Sequence, residues 1–192
     1  MTPYSLAFYL DVVTTGEVLG AGPAASPEHV TEVLGADFAE NVCGRYAMFR
    51  DYGLVEFHWQ RPSGGQPWSG HHFTLQVHRL AHRGRTAVSP VLRARYGRFA
   101  PRLRFGKLRR LLDRRGVPLV EIPEIPANAP SFRTFLQPAS RVAVSVVGAR
   151  GGYGAADRLR VGDVYSVHAP LSAAEVERRT AGTVLRGVRQ AP

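Results

Sequence analysis

Leu54-Val-Glu-Phe-His-Trp59 decides the fold, together with its companion His72-Phe-Thr-Leu-Gln-Val-His-Arg-Leu80. In the first stretch Val55, Phe57 and Trp59 point one way, while Leu54, Glu56 and His58 point the other, the period of a half-buried strand. In the second, Phe73, Leu75 and Val77 face inward, and His72, Thr74, Gln76 and His78 face outward. The connection between them carries Pro62, Ser63, Gly64, Gly65 and Pro67, which is strong turn chemistry. Residues 46–49 read as a further strand, joined to Leu54 by a turn at 51–53 that the Asp51 side chain shapes. These segments predict an antiparallel meander with one wet face, from which Glu56 projects to water.

Toward the N-terminus, residues 4–13 read as a strand or a short buried helix, because their periodicity does not choose between the two. Residues 16–25 form a loop, Ser26 and Pro27 open a helix through Leu34, and Gly35 stops it. Toward the C-terminus, Ser89 and Pro90 begin a second helix that ends at Gly97. A longer one over 101–115 has Phe105, Leu108, Leu111 and Leu112 as its apolar stripe. Arg104, Lys107, Arg110 and Arg114 then lie on its outer side.

Residues 117–125, broken by proline, suit only an edge strand or linker. Strand patterning returns over 132–136, 141–147 and 160–168, with the glycine-rich 148–154 as a hairpin loop. Ser172 caps a last helix over 173–179, and the tail is expected to fray from about residue 181. The expected architecture is one α+β domain over 1–192, a mostly antiparallel sheet with a few short helices packed on it.

The chain has 192 residues, 44% of them hydrophobic and 21% charged, an ordinary globular composition. No apolar run approaches the roughly 18 residues of a membrane span; residues 6–13 are interrupted by Asp11. No membrane partner is therefore expected. The one cysteine, Cys43, leaves no internal disulfide, fits a cytoplasmic location, and is read as a packing residue. Net charge is +10 and unevenly spread. Residues 1–60 hold eight acids against Arg45 and Arg50, whereas residues 79–115 hold twelve arginines and Lys107 against Asp113 alone. That basic stretch suits an acidic protein partner or nucleic acid. Its aromatics Tyr96, Phe99 and Phe105 fall at packing positions, and no nucleic-acid motif accompanies them.

No motif fixes a reaction. His58, His71, His72, His78 and His82 crowd one region, yet on a strand His72 and His78 lie about 20 Å apart. His78 and His82 would meet only on a helix, which the alternation speaks against. No metal site and no cofactor are expected. Ser145 and Ser166 lie inside strands and not on a nucleophile elbow, so no catalytic residue is assigned. An enzyme would need a deep pocket gathering some of His58, His72, His78 and Glu56.

Val30-Thr-Glu-Val-Leu-Gly35, followed by Arg50-Asp-Tyr-Gly-Leu-Val-Glu-Phe57, resembles the opening of small bacterial immunity proteins of polymorphic toxin systems. In that family a short helix ending in Leu-Gly leads to a strand with a Tyr-Gly-x-x-Glu-Phe motif. The resemblance covers residues 30–57 and implies a noncatalytic cytosolic protein that neutralises a toxin by binding it. The expected interface uses the strand face at Glu56 and Trp59, or the basic helix at Arg104, Lys107, Arg110 and Arg114. The alternatives are a nucleic-acid binder using segment 79–115, and an enzyme with the His/Glu pocket.

Overall fold

The computed structural model describes residues 4–149 and 158–189. Its fold is α+β, built on one antiparallel sheet of eight strands in the order β1-β2-β3-β4-β8-β7-β6-β5. The first four are β1 (Ala39–Val42), β2 (Ala47–Asp51), β3 (Val55–Gln60) and β4 (Ser69–Leu75). The last four are β5 (Val120–Ile122), β6 (Phe132–Gln137), β7 (Val142–Val147) and β8 (Val164–Ala169). Each set is a consecutive meander, and the two join edge to edge where Phe73, Thr74 and Leu75 pair with Ala169, His168 and Val167. Of residues 117–125, expected as an edge strand or linker, Val120–Ile122 form β5 at the sheet edge, and Pro118 and Pro123 fall just outside it.

The chain between the two meanders is the arginine-rich stretch. It forms α3 (Arg79–Arg83), a 3-10 turn, α4 (Pro90–Tyr96) and α5 (Phe105–Asp113). With α1 (Tyr4–Thr15) and α2 (Pro27–Leu34), these helices bury one face of the sheet. Val55, Phe57, Trp59, Phe73 and Leu75 supply the sheet side of that core, and Leu34, Leu92, Leu108 and Leu112 the helical side. The last helix, α6 (Ala173–Arg189), packs toward β5 on the other face, over a small cluster of Ile122, Ala143 and Leu171.

Local chemistry explains most of these elements. Ser26 accepts a hydrogen bond from the His29 amide at the start of α2, and Gly35 ends that helix at φ +86°. Ser89 does the same for α4 through the Leu92 amide. Gly53 also has φ +86°, and a Cβ there would lie 2.6 Å from the Ala87 carbonyl oxygen, so only glycine fits the turn into β3.

Residues 4–13, which suit a strand or a short buried helix, are the buried helix, and several other expectations need correction. Leu6, Phe8, Tyr9, Leu10, Val12 and Val13 are all buried, so the segment is apolar nearly all round and shows no amphipathic period. The strand expected to run to Leu80 stops at Leu75, and Arg79–Arg83 is the helix α3, so His82 lies on a helix whose N-cap, in helical conformation, is His78. The helix expected from residue 101 starts at Phe105, because Arg104 bridges to Asp163 in extended conformation. The final helix continues past residue 181 to Arg189. Cys43 is exposed and not packed. The 148–154 hairpin loop lies mostly outside the described residues.

Candidate functional site

The two acids of the Arg50–Phe57 motif converge on a single guanidinium. Asp51 ends β2 and faces Glu56 across the ladder, and Arg79 reaches both from α3. Its Nη1 donates to Asp51 Oδ1 at 2.9 Å and to the Gly53 carbonyl at 2.8 Å, while Nη2 donates to Glu56 Oε1. Asp51 Oδ1 also accepts the Gly53 amide at 2.7 Å, closing the turn as its sequence context predicts. Gln76 donates to the second Glu56 oxygen at 2.6 Å. Glu56 is therefore buried in a closed network and does not project to water. Burial alone would raise its pKa, but His58, Gln76 and Arg79 outweigh that effect and hold the carboxyl at about 2.

Trp59 is 0% exposed, and its indole Nε1 donates to the Ala25 carbonyl at 2.8 Å. The strand-face interface expected at Glu56 and Trp59 is thus occupied by the protein's own core and ion-pair network. Alternation puts Trp59 on one face with Val55 and Phe57, and that face is the buried core, while Glu56 lies on the opposite face.

Beside Glu56, the rings of His58 and His72 stack at 4.0 Å, and Phe49 stacks on the far side of His58. His72 Nδ1 lies 2.7 Å from His71 Nδ1. Burial, then the neighbouring His58 and His71, depresses the pKa of His72 to about 3, so the ring stays neutral. Among the described residues no group of three or more His, Cys, Asp or Glu side chains is placed to hold a metal ion. His78 is partly buried and stacks on Tyr165 of β8 at 4.4 Å with the rings 8° apart. The structure thus draws Glu56, His58 and His72 together and leaves His78 with a different partner.

Farther along the same face is a cleft of about 300 Å³ that sequence reading did not find. Ser166 of β8, Ser145 of β7 and Thr134 of β6 stand in register across its floor. His168, two residues beyond Ser166, faces Ala143, whose small side chain leaves the ring room. Burial, then the nearby Arg179, lowers the pKa of His168 to about 4. One wall is the pair Arg179–Glu124, at 3.2 Å, with Glu175 on the other side of the guanidinium at 2.8 Å. The signal in the sequence was a serine inside each of two apolar strands, Val142–Val147 and Val164–Ala169. Its meaning needed the strand order.

On the opposite, helical side, α5 buries Phe105, Leu108 and Leu112 and turns its cations outward. Arg104, Lys107, Arg110 and Arg114 are all exposed, as their spacing predicts. Arg102 and Arg104 flank the fully buried Asp163, whose Oδ2 accepts from Arg102 Nε at 2.6 Å, with Arg104 Nε 3.6 Å from Oδ1. No carboxylate among the described residues lies within ion-pair reach of Lys107, Arg110 or Arg114. Tyr96, Phe99 and Phe105 pack inward, Phe99 against Phe8 at 5.6 Å and Phe105 against Phe135 at 4.2 Å.

No family model, curated protein or solved structure matches this chain. Its functional reading rests on the geometry above. Among the described residues no helix is long and apolar enough to cross a membrane.

Proposed function

We propose that this protein is a noncatalytic cytoplasmic binding protein of the immunity type, which engages an acidic surface of a toxin through the exposed cationic face of α5. The observation that carries this reading is the row Arg104, Lys107, Arg110 and Arg114, solvent-exposed on a helix anchored from below by Phe105, Leu108 and Leu112. Three of the four have no carboxylate partner among the described residues, so their charge is available to an approaching surface. The row spans about 15 Å along the helix, the width of a small protein epitope.

Three features favour a protein partner over catalysis or nucleic acid. Glu56 and His72 on the sheet face are held away from neutrality, at about 2 and about 3, whereas a general acid or base works best near the operating pH. The aromatic side chains of the basic segment that would stack on bases are turned into the core. The resemblance of residues 30–57 to immunity proteins supplies the biological setting.

The test is titration calorimetry against the product of the adjacent gene. Wild-type protein should bind it, and the triple variant Arg104→Ala, Lys107→Ala, Arg110→Ala should lose about 10- to 100-fold in affinity with unchanged folding. Absence of binding, or an unchanged affinity in the variant, would discard the reading. Binding of random-sequence DNA instead, falling steeply with salt, would establish the nucleic-acid alternative.

A further inference from the structure

The cleft between β6, β7, β8 and α6 lies on the face of the sheet opposite α5, and it stands apart from the interface argued above. It is built from side chains that strand pairing fixes in place. Ser145 and Ser166 are direct cross-strand partners, and the ring of His168 follows on the same face. No protein group hydrogen-bonds either serine hydroxyl or the His168 ring among the described residues, although all three are partly shielded from solvent. Hydroxyls and an imidazole that no protein group engages, standing side by side on a partly shielded cleft floor, are suited to a ligand that completes their hydrogen bonds.

The chemistry of the walls narrows that ligand. The charged groups lining the cleft are the Arg179 guanidinium and the Glu124 carboxylate, paired with each other at 3.2 Å. That pair leaves no net charge to draw in an ion, which favours a neutral ligand. Glu124 is itself engaged by Thr134 and Asn128, which fixes the wall in one geometry. Serine hydroxyls and a neutral imidazole each donate and accept, the pattern matched by vicinal hydroxyls, which do the same. Phe132 and Tyr165, with ring centroids 4.8 Å apart, add an aromatic wall for the C–H face of a saturated ring. A volume of about 300 Å³ suits one such ring with a substituent.

We propose that this cleft binds a neutral saccharide ring, with its vicinal hydroxyls on Ser145, Ser166 and His168 and its apolar face against Tyr165 and Phe132. A free hexose and the ribose of a nucleoside share this chemistry. The test separates them.

The His168 ring proton is followed by NMR while D-glucose, D-galactose, N-acetylglucosamine and adenosine are added singly, up to about 50 mM, well above the range of a weak millimolar site. At least one should shift the signal saturably. A sugar response assigns the hexose and an adenosine response the nucleoside, and either sustains the site. Ser145→Val with Ser166→Val removes both hydroxyls while keeping strand-favouring side chains, and should weaken binding at least about tenfold. Urea unfolding checks that this variant is folded, and Ser166→Ala alone is the milder substitute. Silence of His168 toward all four probes would overturn the proposal. So would equal or tighter binding of inorganic phosphate, or an unchanged affinity in the folded serine variant.

Discussion

Replacing Arg79 by methionine tests the reasoning about the Arg50–Phe57 motif most severely. The guanidinium satisfies Asp51, the Gly53 carbonyl and Glu56 at once, with its own side chain about one fifth exposed. Methionine keeps most of the volume and removes the charge. Glu56 is then left nearly buried with only Gln76 and His58 beside it. Stranding one member of a buried pair costs about 3–5 kcal/mol, and the partial exposure of Asp51 and Arg79 places this case near the lower end, about 3 kcal/mol. For a chain of this size that lowers Tm by about 6–12 °C.

The pH dependence carries the sharper signature. Glu56 titrates at about 2 in the folded protein against an ordinary 4.5, so its contribution is present above pH 4.5 and is lost as pH falls toward 2. The deficit of Arg79→Met should therefore be full at pH 7 and shrink across that window. Adding Glu56→Gln to Arg79→Met should recover part of the loss, because it removes the stranded charge. Urea denaturation at pH 7, 4.5 and 2.5 measures all of this. A loss under about 1 kcal/mol at pH 7, or a loss independent of pH, would refute the account of the motif.

Gly53→Ala should destabilise by more than about 2 kcal/mol, since it combines a positive φ with a Cβ driven against the Ala87 carbonyl; thermal unfolding reports it. Asp163→Asn should cost about 2–3 kcal/mol in the same assay, because the buried carboxylate is what Arg102 and Arg104 share. Stability should also decline as pH falls from 6.5 toward 4. His72 and His168 stay neutral in the folded chain while their unfolded counterparts take up protons, so His72→Gln with His168→Gln should flatten that slope.

Much of the architecture was legible where local chemistry acts alone. The period of two in Val55–Gln60 gave β3, and the Ser-Pro openings and glycine stops gave α2 and α4. Failures came where a residue's role depends on a distant one. Glu56 reads as solvent-facing by alternation, and its burial follows from Arg79, 23 positions later on a helix that alternation had written as strand. Val77 and Leu80 stay buried after the chain leaves the sheet, which prolonged the apparent strand. β1, fully exposed at the sheet edge, has no hydrophobic period to betray it. The saccharide cleft depends on β7 lying between β6 and β8, and order within a sheet is a property of the whole chain.

The central claim is that the cations of α5 hold an acidic partner protein. Its most direct measurement is the affinity of the Lys107→Ala, Arg110→Ala double variant for the neighbouring gene product, set against wild type. Both residues are exposed and unpaired among the described residues, so their loss should change stability by less than about 0.5 kcal/mol. The account predicts a drop of about tenfold or more, smaller at high salt as the charges are screened. Equal affinities for variant and wild type would contradict it.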